Sequence, residues 1–512
     1  MALLDLVETY RQPLVFLGAF SLVFYFVSCI YQRWQQYQFA KANGCEPVVG
    51  KVQNYDPFLS LDRIYRLMKM AKQRKLLESN VMRFDNLGNT HLVQRRPELI
   101  MVTREPQNVK TILSLKFADY SLGDRIKTFG PLLGHGIFTS DGEDWTRSRQ
   151  MIRPNFVKEQ VAHLEVFEEL MDDLFALIPT DGDTVDLQDL FFGFTIDSAT
   201  EFLYGHSVHS LKKRRSGVAD NEPDFAKAFD YSLADITKSF RYGPLRFLNR
   251  DPKAVESRRI CHQMVDQFVD KALVMREKYD EEKGTDEKTE RRYMFLYGLA
   301  QQTGDRRRIR DEIMNVLLAG RDTTASLLGC LFFMLAKHPE VWAKLQEDIS
   351  TLGGRAPTYS LLQNMTYLKY CLNETLRLFP VVPLNSRTSI RDTILPVGGG
   401  KDGQSPVFVP KGTIVSYSVY AMHRRKDFYG ADAEEFRPER WANLRPGWEY
   451  LPFNGGPRIC VGQQYALTEA AYVTTRLAQR YSILESRDPG PWEEKLTLTA
   501  CSFNGTQVSL RH

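Results

Sequence analysis

The stretch Phe453-Asn454-Gly455-Gly456-Pro457-Arg458-Ile459-Cys460-Val461-Gly462 sets one cysteine in a glycine-rich turn. A run with helical spacing, Gln463-Gln464-Tyr465-Ala466-Leu467-Thr468-Glu469-Ala470-Ala471, follows at once. A thiolate at the mouth of a helix is favoured by unpaired backbone N–H groups and the positive end of the helix dipole. Gly456 and Gly462 leave room for a flat, bulky group to approach the backbone, and Arg458 can meet a carboxylate of that group. A lone cysteine is most often a small apolar filler. That reading would also have to explain Phe453, Gly456, Arg458 and Gly462 at fixed offsets, so the pattern F-x-x-G-x-R-x-C-x-G favours a loop that presents a ligand.

The rest of the composition is ordinary for a large globular protein. Of 512 residues, 43% are hydrophobic and 25% charged, ample for a sizeable core. The length suggests about three domains, or one continuous helical unit. A net charge of +4 is small for this length and implies no nucleic-acid surface. The basic runs Lys212-Lys213-Arg214-Arg215 and Arg306-Arg307-Arg308 read as solvated. The seven cysteines, Cys29, Cys45, Cys261, Cys330, Cys371, Cys460 and Cys501, are odd in number, scattered and never in a C-x-x-C pair. This speaks against a disulfide framework or a structural zinc site and for a reducing compartment.

The N-terminus departs from that pattern. The 21 residues from Gln12 to Gln32 carry no charge. As a helix they would span about 30 Å, the thickness of a bilayer core. A cleavable signal peptide would instead show a basic start, a shorter apolar region and a small-residue cleavage site. Asp5 and Glu8 precede the segment while Arg33, Lys41 and Lys51 follow it, which puts the body of the protein in the cytosol. Trp34 and Tyr37 would sit near the interface. The expected organisation is a lumenal 1–11, a transmembrane anchor 12–32, a linker 33–60 and a folded body 61–512.

Within the body, Leu61 to Glu78 has helical spacing, and Thr90-His91-Leu92-Val93 and Leu99-Ile100-Met101-Val102 read as short strands. Helical periodicity dominates from about Pro106 to Asp348. The charged stretch Tyr279 to Arg292 reads as a solvated loop. β-Branched residues, Gly and Pro return between Pro380 and Tyr420.

Three further patterns stand out. Ala319-Gly320-Arg321-Asp322-Thr323-Thr324 lies inside a long apolar helix from about Arg308 to Lys337. A glycine there costs about 1 kcal/mol, and Asp322 and Thr323 are unusual between such flanks; a distorted turn opening a small groove would explain all of them. Glu374-Thr375-Leu376-Arg377 gives an i,i+3 pair, usually a weak surface contact, but Leu378-Phe379-Pro380 suggests a helix diving into a core. Asp144-Trp145-Thr146-Arg147-Ser148-Arg149 puts Trp145 and Arg149 on one helical face.

These four patterns, which occur along the chain in that family's order and cover residues from about 60 to 512, resemble the cytochromes P-450. The chain is similar to the fungal branch that oxidises n-alkanes and fatty acids, on Leu317 to Ala325, Asn373 to Arg377, Phe453 to Cys460 and Phe129-Gly130-Pro131-Leu132-Leu133-Gly134-His135-Gly136-Ile137-Phe138. The resemblance implies a mainly α fold with minor β, the triangular prism of that family, preceded by one transmembrane helix. It implies haem b with Cys460 as axial thiolate and Phe453, Gly456, Arg458 and Gly462 in its loop. Trp145, Arg149, Arg458 and Arg387 would reach the haem propionates. Thr323 would stand beside the oxygen being activated, with Asp322 feeding protons. Glu374, Arg377 and Arg440, the last in Phe436-Arg437-Pro438-Glu439-Arg440-Trp441, would form a buried structural network. The family often has Phe where this chain has Trp441.

The implied activity is insertion of one oxygen atom from O2 into a C–H bond of a small lipophilic substrate. Electrons would come from an NADPH-dependent flavoprotein reductase on the endoplasmic reticulum membrane, with cytochrome b5 as a further candidate donor. Phe117 to Ile137, Phe225 to Leu248 and Val381 to Asn385 would line the cavity. A long aliphatic substrate, a fatty acid or an alkane, is favoured; tailoring of a secondary metabolite such as a polyketide, terpenoid or alkaloid is the alternative. A reductase-independent isomerase or dehydratase, or a haem-binding sensor or carrier, sits less well with an intact Asp322-Thr323 pair.

Overall fold

A computed structural model describes residues 2–53, 56, 61–95, 98–156, 164–216, 225–281 and 295–512. Helix α1 (Ala2–Ala42) carries Phe16, Phe20, Phe24 and Ile30 exposed, the arrangement of a helix that faces lipid. It runs on past residue 33, where a linker is expected. Near its end the Phe39 ring lies 5.8 Å from the ring of Phe408, so the end of this helix touches the body.

The spacing of Leu61 to Glu78 predicts one helix, but the chain forms two, α2 (Leu61–Lys72) and α3 (Leu76–Leu87). The break falls at Arg74, whose φ of 58° is left-handed. Its guanidinium lies 3.2 Å over the Phe503 ring centroid and pairs with Glu493. Partners from the far end of the chain override the local periodicity.

The short strands are β1 (Lys51–Val52), β2 (Thr90–Arg95), β3 (Glu98–Thr103), β4 (Tyr120–Ser121), β5 (Leu384–Ser389) and β6 (Ile414–Ser418). They form one mixed sheet in the order β1-β2-β3-β6-β5-β4. β2 and β3 are an antiparallel hairpin; β3 runs parallel to β6 with Ile100 opposite Ile414; β5 runs antiparallel to β6 with Arg387 opposite Val415. Towards the C-terminus β7 (Glu494–Leu496) and β8 (Ala500–Ser502) make a separate hairpin.

The helices that build the body include α4 (Arg125–Leu133), α5 (Gly142–Ile152), α6 (Leu187–Tyr204), α7 (Phe225–Tyr242), α8 (Pro252–Glu281), α9 (Arg306–Lys337), α10 (Thr366–Leu378) and α11 (Gln463–Arg480). The charged stretch after Tyr279 begins inside α8, and its remainder lies outside the described residues. Among the described residues two helices are long and apolar enough to cross a membrane. One, Val15–Ala42, is 0% buried; the other is α9, 83% buried and therefore a core helix.

α9 organises the interior. Its N-terminal half, Ile309 to Leu318, belongs to one apolar cluster with α4, α7 and α8. Its C-terminal half, Ala325 to Ala336, belongs to a second cluster with α6, α10 and α11. The two cores meet on either side of Ala319-Gly320-Arg321-Asp322-Thr323-Thr324, where Ala319, Gly320 and Thr323 are only half-buried. The motif occupies the seam between two cores, where a site can open without breaking either.

Candidate active site

The cysteine loop is pinned at both ends. The Cys460 N–H donates to the Phe453 carbonyl at 3.0 Å and the Ile459 N–H to Gly456 at 3.0 Å. Asn454 turns the chain with φ 62°, a left-handed conformation that asparagine tolerates better than most residues. Tyr417 OH on β6 donates to its Oδ1 at 3.0 Å. Gly456 also has a positive φ, 68°, and a Cβ there would lie 1.9 Å from the Leu113 carbonyl oxygen. That carbonyl and the positive φ by themselves demand glycine here. Gly462 has ordinary backbone torsions and starts α11 as its N-cap.

Cys460 has an accessible side chain although protein surrounds it closely. Burial raises the thiol above its ordinary range, opposed by the Gly462 N–H and by Arg149. A thiolate here needs a cation on the sulfur side, as a coordinated metal provides.

Around this loop gathers a group of arginines. Arg458 Nη2 donates to Asp141 Oδ1 at 2.7 Å and to the Ser140 carbonyl at 2.9 Å, and its guanidinium lies 4.5 Å from the Trp145 ring centroid. Arg149, on the same face of α5 as buried Trp145, donates to the Ile459 carbonyl at 3.0 Å. Arg387 donates to the Ser386 carbonyl at 2.7 Å, while its buried Nε has no partner among the described residues. Arg125 on α4 donates to Asn385 Oδ1 at 2.9 Å. Burial, joined by Arg387 and Arg458, lowers Arg125 to about 10; burial, joined by Arg387 and Arg149, does the same to Arg458. Of the four, only Arg458 forms an ion pair among the described residues, with Asp141. The cluster is short of negative charge.

α9 stays helical through its motif. No break in the helix marks the expected distorted turn. Within the motif the Thr323 Oγ1 donates to the Ala319 carbonyl at 2.7 Å. Asp322 is buried, and burial lifts its carboxyl to about 6 against the opposing pull of Arg321.

Glu374, Arg377 and Arg440 come together as expected. Arg377 grips Glu374 with two parallel bonds, Nε to Oε2 at 2.9 Å and Nη2 to Oε1 at 2.8 Å. Arg440 Nε reaches Oε1 at 2.8 Å. Both charges of the first pair are fully buried, and buried ions persist only when every lone pair and proton finds a partner. Arg377 spends its remaining donors on the carbonyls of His423, Ala433 and Glu435. The network thereby fixes the loop before Arg440.

Four contributors escape a reading of the sequence. Arg125 has no motif around it. Asn454 lies within the quoted loop but is marked only by its backbone. His423 is wholly buried and neutral, pushed down to about 3 by burial and by Arg377. Its ring bonds the Arg377 carbonyl and accepts the Leu451 N–H at 2.9 Å, joining α10 to the cysteine loop. Glu469, nine residues after Cys460, is held by the Ser198 hydroxyl and lifted by burial to about 8.

This donor set suits a flat dianionic group that carries a metal. Cys460 offers a soft ligand, the arginines and Trp145 offer surplus donors, and Arg387 Nε is one of them unspent.

Comparison with known proteins points the same way. The family model described as Cytochrome P450 matches residues 60–503. The chain is 52% identical to "Cytochrome P450 monooxygenase himC" of Aspergillus japonicus, covering 91% of this chain and 84% of that protein. It is 48% identical to "Cytochrome P450 monooxygenase fsdH" of Fusarium heterosporum, over 95% and 86%. It is 43% identical to "Cytochrome P450 52A13" of Debaryomyces hansenii, over 88% and 90%.

Proposed function

The chain belongs to the cytochrome P450 family and is a haem-thiolate monooxygenase; on that premise we propose that it oxidises a C–H bond of a long aliphatic chain at the cytosolic face of the endoplasmic reticulum membrane. Haem, when bound, supplies the binding and reductive activation of oxygen. Cys460 Sγ would ligate its iron, and Arg125, Trp145, Arg149, Arg387 and Arg458 would hold its carboxylates, the arginines by charge-assisted bonds. Asp322 holds a proton at its carboxyl, poised near neutrality, and Thr323 Oγ1 passes it on. The two cores flanking the motif keep bulk water out.

Electrons come from an NADPH-dependent flavoprotein reductase, with cytochrome b5 as a second donor. The exposed apolar face of α1 and the basic residues after it support a single-pass anchor with 61–512 as the cytosolic catalytic domain.

The substrate class rests on one observation. Leu132 and Leu133 of α4 and Phe225, Phe229 and Leu233 of α7 share a buried cluster with Val316 to Leu318, directly before the motif. Arg321, the cation beside that cluster, is held by Asp230 and Asp322. An aliphatic chain suits the apolar surroundings that this packed cluster gives the motif. The test is a titration of the detergent-solubilised holoenzyme with a medium-chain fatty acid and a matching alkane, read at the haem Soret band. A saturable low-spin to high-spin shift is expected. A thiolate spectrum that never shifts would move the substrate to a secondary metabolite and leave the enzyme class intact.

A further inference from the structure

We propose that Arg321 is a positioning residue that ties the Asp322 carboxylate of α9 to helix α7 through Asp230, so that the seating of α7 sets when Asp322 carries its proton. The inference rests on the reading of Asp322 as a proton carrier.

Arg321 is only 4% exposed and sits in a helix that is apolar on both sides of the motif. A guanidinium in such a place persists only when paired. It is paired twice through one nitrogen: Nη1 donates to Asp230 Oδ1 on α7 and, at 3.2 Å, to Asp322 Oδ1. Its buried Nε has no partner among the described residues, and Phe192 and Phe229 flank the guanidinium at 5.3 and 5.8 Å. The group is thus held in one plane and spends itself on carboxylates from two helices.

The two carboxylates are unequal. The Asp230 side chain is 58% exposed and that of Asp322 only 7%. Solvent can compensate the first if α7 moves away; nothing but Arg321 compensates the second from its own helix. The charged and titratable groups that face this pair are Lys495 of β7, which favours the Asp322 carboxylate, Asp230 of α7, which disfavours it, and the thiols of Cys501 on β8 and Cys261 on α8. Seated α7 therefore shares Arg321 and adds a negative charge, both of which keep the proton on Asp322. Displaced α7 returns Arg321 wholly to Asp322 and releases the proton.

Opposite signs from two single substitutions test this. The pH midpoint of the Asp322 carboxyl is read by infrared difference titration of the full-length holoenzyme, its band assigned by its loss in Asp322→Asn. Asp230→Asn should lower the midpoint and Arg321→Gln should raise it, each on the order of tenfold in proton affinity. Thermal unfolding of each variant checks that the fold holds, and Arg321→Lys serves as a second variant, expected to fall between wild type and Arg321→Gln. A midpoint unmoved in Asp230→Asn and Arg321→Lys, or moved in the same direction by both, overturns the proposal. Midpoints that move as stated while Asp322→Asn keeps normal coupling of NADPH to product would uphold the tie and overturn the proton-carrier reading instead.

Discussion

Trp441 donates its indole N–H to Oε2 of Glu374 at 2.9 Å. The same carboxylate accepts two bonds from Arg377, one from Arg440 and one from the Arg437 N–H at 3.0 Å. What reads in the sequence as a minor departure from phenylalanine is a fifth donor to a fully buried charge. Trp441→Phe should cost about 1–3 kcal/mol, since one oxygen of a buried carboxylate keeps a single partner. Thermal unfolding of the holoenzyme measures it. Glu374→Gln, which strands two buried arginines, should cost more, about 3–5 kcal/mol; the reverse ranking would contradict the network as described.

Gly456→Ala tests the loop itself. The new Cβ meets the Leu113 carbonyl at 1.9 Å in a left-handed conformation, so the loop must move or the neighbouring segment must yield. We expect a loss of at least about 2 kcal/mol and a lowered haem content after purification. The same change at Gly462, whose torsions are ordinary and whose nearest neighbour is Phe156 at 3.4 Å, should be much milder.

Much of the site is legible in the chain because its parts are contiguous. The cysteine loop, the α9 motif and the Glu374–Arg377 pair each sit within one element, where spacing alone carries the signal. The two-strand hairpin β2–β3 and the long core helix follow from residue type in the same way. What the sequence hides is what distant elements supply. Arg125 and Arg387 meet only because β5 lies beside the start of α4, and His423, 28 positions before Leu451, links that residue to α10. The break between α2 and α3 depends on Phe503 and Glu493, more than 400 positions away, and no local pattern announces it.

Thr323→Ala should leave the fold intact and uncouple NADPH consumption from product, because the hydroxyl that bonds the Ala319 carbonyl is also the proposed proton donor. Thr323→Ser should recover most of the coupling. Product formed per NADPH, measured with reconstituted reductase, decides between them; unchanged coupling in the alanine variant would remove Thr323 from the proton route.

Glu469 makes a pH prediction with a definite sign. Its carboxyl is lifted from 4.5 to about 8 by burial, so the folded protein holds a proton that the unfolded chain releases. The stabilisation is fully present below about pH 4.5 and is lost as pH rises towards 8, at up to about 1.4 kcal/mol per pH unit. Glu469→Gln mimics the protonated acid and should flatten this part of the stability profile, making the variant the more stable protein at pH 8. Parallel profiles for the two proteins would show that Glu469 is ionised in the fold.

If Cys460 binds the haem iron as a thiolate, the absorption spectrum of the reduced, carbon monoxide-bound protein must show it. Wild type should show the red-shifted Soret band of thiolate ligation, and Cys460→His should lose both that band and monooxygenase turnover while still folding. A Cys460→His protein that kept the thiolate band, or that turned over substrate at the wild-type rate, would show that Cys460 is not the ligand.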